Sequence, residues 1–227
     1  MMAVDLDTTS VRALNESLHR ITPSSNERHW RIVNPRGKHA IAAGLTQPID
    51  VEIDGHVGYY CAGMNQNARI TVRGQAGKGL GENIMSGEIR VTGNVSECAG
   101  ASGHGGLIVI EGDAAGRCGI SMKGVDIVVK GSVGHMSAFM AQAGRLVVCG
   151  DADHSLGDSI YEAALYVRGS VGSLGADCVE KDMDATEIEA LGQLLKDAGV
   201  DASAREFRRY GSARKLYNFH IDHADAY

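Results

Sequence analysis

Seven glycines, Gly55, Gly74, Gly93, Gly112, Gly131, Gly150 and Gly169, recur at an unbroken interval of nineteen residues. Each closes a short run with aliphatic residues two apart: Val51/Ile53, Ile70/Val72, Ile89/Val91, Ile108/Ile110, Ile127/Val129, Leu146/Val148 and Leu165/Val167. Period-two alternation is the mark of a strand with one buried face. A strand and a turn returning at fixed spacing mark a solenoid, in which each repeat covers its neighbour's apolar face. Two further columns share the period. One, seven residues after each glycine, reads Ala62, Gly81, Gly100, Gly119, Ala138, Gly157 and Ala176; the other, two residues after, reads Val57, Ala76, Val95, Ala114, Val133, Ala152 and Val171. Small side chains at fixed positions suit tight corners, and at the turn glycines both positive φ and close backbone approach are expected. The spacing predicts an all-β parallel β-helix of about seven coils, stacked at ~4.8 Å into a rod some 30 Å long. Leucine-rich repeats need a different spacing and WD40 blades about twice the period. The handedness does not follow from these residues.

The rod occupies residues 36–180, between an N-terminal extension, 1–35, and a C-terminal one, 181–227. Val11, Leu14, Leu18 and Ile21 share one face of a short amphipathic helix ahead of Pro23. Asp184 with Glu187 reads as the capping pair of a second helix whose apolar face is Ile188, Leu191, Leu194 and Leu195, ending before Gly199, and Ser203 with Glu206 repeats the pattern. Open solenoid ends expose unpaired strands, so both extensions are expected to cap the rod or to touch a partner.

Little in the chain points to chemistry. Thirty glycines in 227 residues, against an ordinary usage of about 7%, make GKGLG at 77–81 a chance match, since neither GxGxxG nor GxxxxGK[ST] occurs. Cys61, Cys98, Cys118, Cys149 and Cys178 form no CxxC pair and read as buried thiols. His220 and His223 are three apart but lack a third metal ligand in the sequence. The residue after each turn glycine reads His56, Gln75, Asn94, Asp113, Ser132, Asp151 and Ser170, with acids only on alternate coils, a poor acid–base arrangement. A net charge of −6 argues against nucleic acid, and no membrane-length apolar run or secretory segment is seen, so a cytoplasmic protein is expected. One column stands out. Between the inward aliphatics, Val109, Val128, Val147 and Tyr166 place four successive apolar side chains on the outward face. Such a stripe needs a cover, either a terminal helix or another subunit.

With the glycine-spaced coils and the tail FRRYGSARKLYNFHIDHADAY (207–227) in view, the chain resembles the GXGXG domain, the C-terminal β-helix of the glutamate synthase large subunit. The tail is most similar to that of the free-standing subunit of methylamine-glutamate N-methyltransferase (N-methylglutamate synthase), and a more distant relative occurs in formylmethanofuran dehydrogenase. The resemblance implies a right-handed β-helix and a multisubunit enzyme of methylamine metabolism. It also implies an amidotransferase-like partner and a second partner holding FMN and an iron–sulfur cluster, with no cofactor, metal or catalytic residue on this chain. The turn glycines are then structural, and Val109, Val128, Val147 and Tyr166 are a partner- or helix-docking face. A subunit of a glutamine-dependent glutamate synthase-like enzyme or of formylmethanofuran dehydrogenase, or an independent scaffold solenoid, are the alternatives.

Overall fold

The computed structural model describes residues 1–214. Nine strands stack in parallel in chain order: β1 (Met2–Asp5), β2 (His29–Val33), β3 (Asp50–Asp54), β4 (Arg69–Arg73), β5 (Glu88–Val91), β6 (Leu107–Ile110), β7 (Lys123–Val129), β8 (Ala143–Val148) and β9 (Ala164–Val167). From β3 to β9 the pairing holds the nineteen-residue register, so each expected inward residue sits on its counterpart: Val51, Ile70, Ile89, Ile108, Ile127, Leu146 and Leu165 form one column. Ile53, Val72, Val91, Ile110, Val129, Val148 and Val167 form the second, and all fourteen are fully buried. The Val57 to Val171 column forms a second, one-residue-wide ladder of parallel bridges across the coil.

The sheet reaches further toward the N-terminus than the glycine period. β2 joins β3 with Trp30 opposite Val51, a step of 21 residues, and β1 joins β2 with Met2 opposite Trp30. The long first step accommodates helix α1 (Val11–His19), N-capped by Ser10, whose Leu14 and Leu18 are buried. Residues 1–35 therefore extend the stack as coils of their own. Nine strands at about 4.8 Å spacing give a rod of roughly 38 Å.

At the other end the chain changes direction. β10 (Cys178–Lys181) leads into α2 (Ala185–Ala198), a single 3-10 turn (Ala204–Glu206) and β11 (Arg208–Ser212). β11 inserts antiparallel between β9 and β10, giving the last coil a partner and burying Tyr210. Both expected capping boxes form, Asp184 with Glu187 and Ser203 with Glu206, and Gly199 closes α2 in the left-handed conformation. His220 and His223 lie outside the described residues.

The corners are where expectation and structure part. Of the seven turn glycines only Gly55 has positive φ, 132°. The left-handed residues are elsewhere, in Ala62, Gly81, Gly100, Gly119, Ala138 and Gly157, at φ between 57° and 70°. The seventh member, Ala176, breaks the column, and Asp177 is left-handed instead. Two flanking columns, Tyr60 to Ser155 and Met64 to Ser159, are left-handed as well, so alternate residues of this corner carry the unfavoured conformation. Each non-glycine residue among them costs on the order of 1–3 kcal/mol. Hydrogen bonds between coils hold them there: Tyr60 and Met64 donate forward to Lys78 and Glu82, and Ala62 donates back to Ile41. The middle column is small because it points inward; a Cβ on Gly81 would lie 2.9 Å from the Ile89 and Ile108 side chains.

Candidate functional site

Two outer faces of the rod carry organised side chains. The first runs beside the turn glycines. The N–H of Asp113 donates to Asn94 Oδ1 (2.9 Å), that of Ser132 to Asp113 Oδ1 (2.8 Å), that of Asp151 to Ser132 Oγ (3.0 Å) and that of Ser170 to Asp151 Oδ1 (2.7 Å). Gln75 donates likewise to His56 Nδ1 (2.9 Å). The column is a one-way relay in which a coil's side chain accepts from the next coil's turn, unbroken from Asn94 to Ser170 and without such a bond between Gln75 and Asn94. It supplies partners to N–H groups that the strand ladder has already left. The hydrogen bonds from the Ser170 backbone and hydroxyl hold the Asp151 carboxyl below its ordinary pKa.

The relay also gives the turn glycines their reason. Asn94, Asp113, Ser132 and Asp151 reach their acceptor positions across the Cα of the next coil's glycine, so a Cβ on Gly112 would fall on Asn94 Oδ1. At Gly74 the obstruction is backbone, with the Gly55 carbonyl carbon and oxygen both 2.6 Å from a built Cβ. Close approach, and not positive φ, excludes side chains at every turn glycine but Gly55.

The second face is the apolar stripe. Val109, Val128, Val147 and Tyr166 form one buried cluster with Leu191, Leu194, Leu195 and Ala198 of α2, and with Ala204 and Phe207 beyond it. The cover is thus the chain's own C-terminal helix. Burying these large side chains contributes on the order of 10–20 kcal/mol before ordering entropy is subtracted. Charged groups fix the helix lengthwise. Arg90 Nη1 donates to the Ala198 carbonyl (3.1 Å) and Lys130 Nζ to that of Gly199 (3.0 Å), placing two cations on the negative end of α2. Glu111 ties them together, 2.9 Å from Arg90 and 2.6 Å from Lys130. Burial works against its carboxylate, but the hydrogen bonds from Lys130 and Arg90 outweigh that and lower its pKa. Arg145 makes a two-pronged pair with Asp126 (2.8 and 2.5 Å) and reaches the Ala190 carbonyl (3.4 Å). Burial pushes the Tyr166 hydroxyl pKa up.

The sequence named the stripe but not these clamps. Arg90 stands in the stripe's own column, one coil before Val109, where a charge among apolar residues was the available signal. A cleft of about 500 Å³ opens beside α2, lined by Arg69, Glu88, Asp126, Arg145, Leu194 and Asp197 among others. Its arginines are paired: Arg69 lies 3.5 Å from both Asp50 and Glu88. Cys61 and Cys118 are fully buried, with thiol pKa values pushed up to about 12 by desolvation. Among the described residues no three His, Cys, Asp or Glu side chains gather as metal ligands, and no helix is long and apolar enough to cross a membrane.

Over 228 aligned residues the chain is 58% identical to Protein GlxC of Rhizobium meliloti (strain 1021), and the alignment covers the whole of both chains. The chain belongs to the GlxC family. No family model and no solved structure matches it. The alignment runs through the first coils and the α2 cover alike, at a level of identity that preserves the fold.

Proposed function

We propose that this chain is the β-helix subunit of a glutamate-synthase-like complex, without a catalytic centre of its own. The complex is best read as methylamine-glutamate N-methyltransferase, which joins methylamine to L-glutamate and releases N-methyl-L-glutamate and ammonia. In this reading an amidotransferase-like subunit handles ammonia chemistry, and a second partner carries FMN and the iron–sulfur cluster. This chain sets the distance between them and walls part of the route taken by the amine. The observation that carries the reading is the unbroken stack. From Val51 to Val167 each coil repeats the last in register, and its recurrent residues are committed to pairing, turning or packing. Catalysis needs converging ionisable groups in a concave site, whereas a rod of this kind supplies rigidity and length. Holding two centres at a fixed separation is itself a contribution to rate, because an amine released to solvent is diluted.

The test is reconstitution of the complex with and without this chain. With methylamine and glutamate, N-methylglutamate should form only when the chain is present; glutamine, 2-oxoglutarate and a reductant form the arm that would reassign the reaction to glutamate synthesis. Turnover by the chain alone, or flavin absorbance that follows it through gel filtration, would overturn the reading.

A further inference from the structure

The last coil of the rod carries a polar pocket separate from the relay and from the α2 cover. Its volume is about 230 Å³, and Glu162, Lys181, Arg209, Gly211, Ser212 and Arg214 are among its walls. Lys181 on β10 stands directly opposite Arg209 on β11, and like charges so placed across an antiparallel pair are destabilising. An anion between them removes that cost. Glu187 lies 2.8 Å from Arg209 Nε, and Asp177 lies 2.6 Å from Arg214. Lys181 and Glu162 have no ion-pair partner among the described residues; they are opposite in sign, share the pocket wall and do not reach one another. Gly211 makes room for the lysine, whose Cδ and Cε pass 3.6 and 3.7 Å from the position a Cβ would take. Ser212 is only 4% exposed. Its Oγ accepts from the Arg214 N–H (3.2 Å), and its own proton has no acceptor among the described residues.

We propose that this pocket binds the zwitterion of a small α-amino acid, its carboxylate on Lys181, Arg209 and the Ser212 hydroxyl and its ammonium on Glu162. The charges select this ligand. An anion alone satisfies the two opposed cations and is repelled by Glu162, and a cation alone meets the reverse problem. A molecule with both charges a few bonds apart answers each wall with its opposite, through charge-assisted hydrogen bonds stronger than neutral ones. The buried Ser212 hydroxyl gains the acceptor it lacks, which removes the cost of an unsatisfied donor. The inference rests on this geometry and not on the proposed function.

Titration of the isotope-labelled full chain with L-alanine, followed by NMR, tests it. The amides of Glu162, Gly211 and Ser212 should shift and saturate with a Kd of about 1 mM or below. Propionate and ethylammonium, each lacking one of the two charges, should bind about tenfold more weakly, which corresponds to the loss of one charge-assisted hydrogen bond. Lys181→Met and Glu162→Gln alter exposed side chains and leave the core intact. Each should weaken L-alanine about tenfold, while the first spares ethylammonium and the second spares propionate. Absence of a saturable shift at concentrations on the order of 50 mM overturns the proposal, as does binding that both variants leave unchanged. Propionate binding as tightly as L-alanine also overturns it, since the pocket would then be a simple anion site.

Discussion

Alanine at Gly74 and at Gly112 should have different costs although both residues occupy one column. At Gly74 the new Cβ would lie 2.6 Å from the carbonyl carbon and oxygen of Gly55 and 3.0 Å from the His56 nitrogen. Ordinary carbon contacts begin near 3.5 Å, so adjacent coils must part locally by about 1 Å. That strains hydrogen bonds running through the same turn, from Gly93 to the Gly74 carbonyl (2.9 Å) and from Gly55 to the Arg73 carbonyl (3.2 Å). Overpacking of roughly 1–3 kcal/mol, and one or two weakened bonds at about 1 kcal/mol each, exceed the 0.4–1 kcal/mol that alanine returns by restricting the unfolded chain. The net loss should be about 2–4 kcal/mol, a fall in Tm of about 5–15 °C for a chain of this size. At Gly112 the first obstacle is the Asn94 side chain, which can rotate away and forfeit its exposed bond to the Asp113 N–H, and the Gly93 carbonyl carbon and oxygen, at 3.0 Å, press less closely than the Gly55 carbonyl does at Gly74. That loss of about 0.5–1.5 kcal/mol, with about 1 kcal/mol for easing the Gly93 contact, exceeds the same entropic return only modestly, leaving a net loss of about 1–2 kcal/mol, smaller than at Gly74. Asn94→Ala added to Gly112→Ala should then have no further effect. Thermal melts followed by circular dichroism decide the matter. Equal shifts, or a larger one at Gly112, would refute both the close-approach reading and the relay.

Val128→Asp sets a carboxylate between Val109 and Val147 under α2, and should cost roughly 3–5 kcal/mol and expose Lys196 to trypsin; an unchanged cleavage rate there would mean the stripe does not hold the helix. Arg90→Met removes one cation from the α2 C-terminus and should speed hydrogen exchange in its last turn severalfold while leaving β3 and β4 unaffected. Because the folded-state pKa of Glu111 is depressed, its contribution is present above the ordinary carboxylate range and is lost as pH falls through the lowered value. Exchange in α2 should accordingly accelerate in acid, and Glu111→Gln should flatten that dependence. Cys61 and Cys118, at about 12, should alkylate near pH 8 only as fast as the rod unfolds, so rapid labelling in the native chain would contradict their burial.

The rod was legible because its register is written in the chain: a constant nineteen-residue step lets identical positions pair, and alternation places Ile70 and Val72 on the inside without reference to any other coil. Where the step changes, legibility stops. The coil from β2 to β3 takes 21 residues and the one before it carries α1 as an insertion, so their strands share the sheet without sharing the period. Backbone conformation was legible only as a need for small residues. Gly74 and Gly81 look alike in sequence, but one is bare because a neighbouring carbonyl presses on it and the other because its left-handed residue faces the core. The stripe was visible and its two possible covers were not distinguishable. Leu191 and Leu195 are apolar on any helix, and only the carbonyl contacts of Arg90, Lys130 and Arg145 fix where that helix lies.

A ladder in which every coil from β3 to β9 pairs with the next at the same nineteen-residue register has no half-steps, so the rod can change length only by whole coils. It behaves as a ruler graduated at about 4.8 Å. The graduations are not equally free to move. Arg90 and Lys130 sit two coils apart and both grip the end of α2; a coil duplicated between them would carry the grips beyond the reach of one helix terminus. Duplicating His56–Gly74 instead lengthens the rod ahead of Arg90 and leaves every helix contact in place, at the cost of setting two copies of Arg69 side by side. Evolution, or an engineer, can therefore reset the separation of whatever binds the two ends only from the N-terminal side of β5.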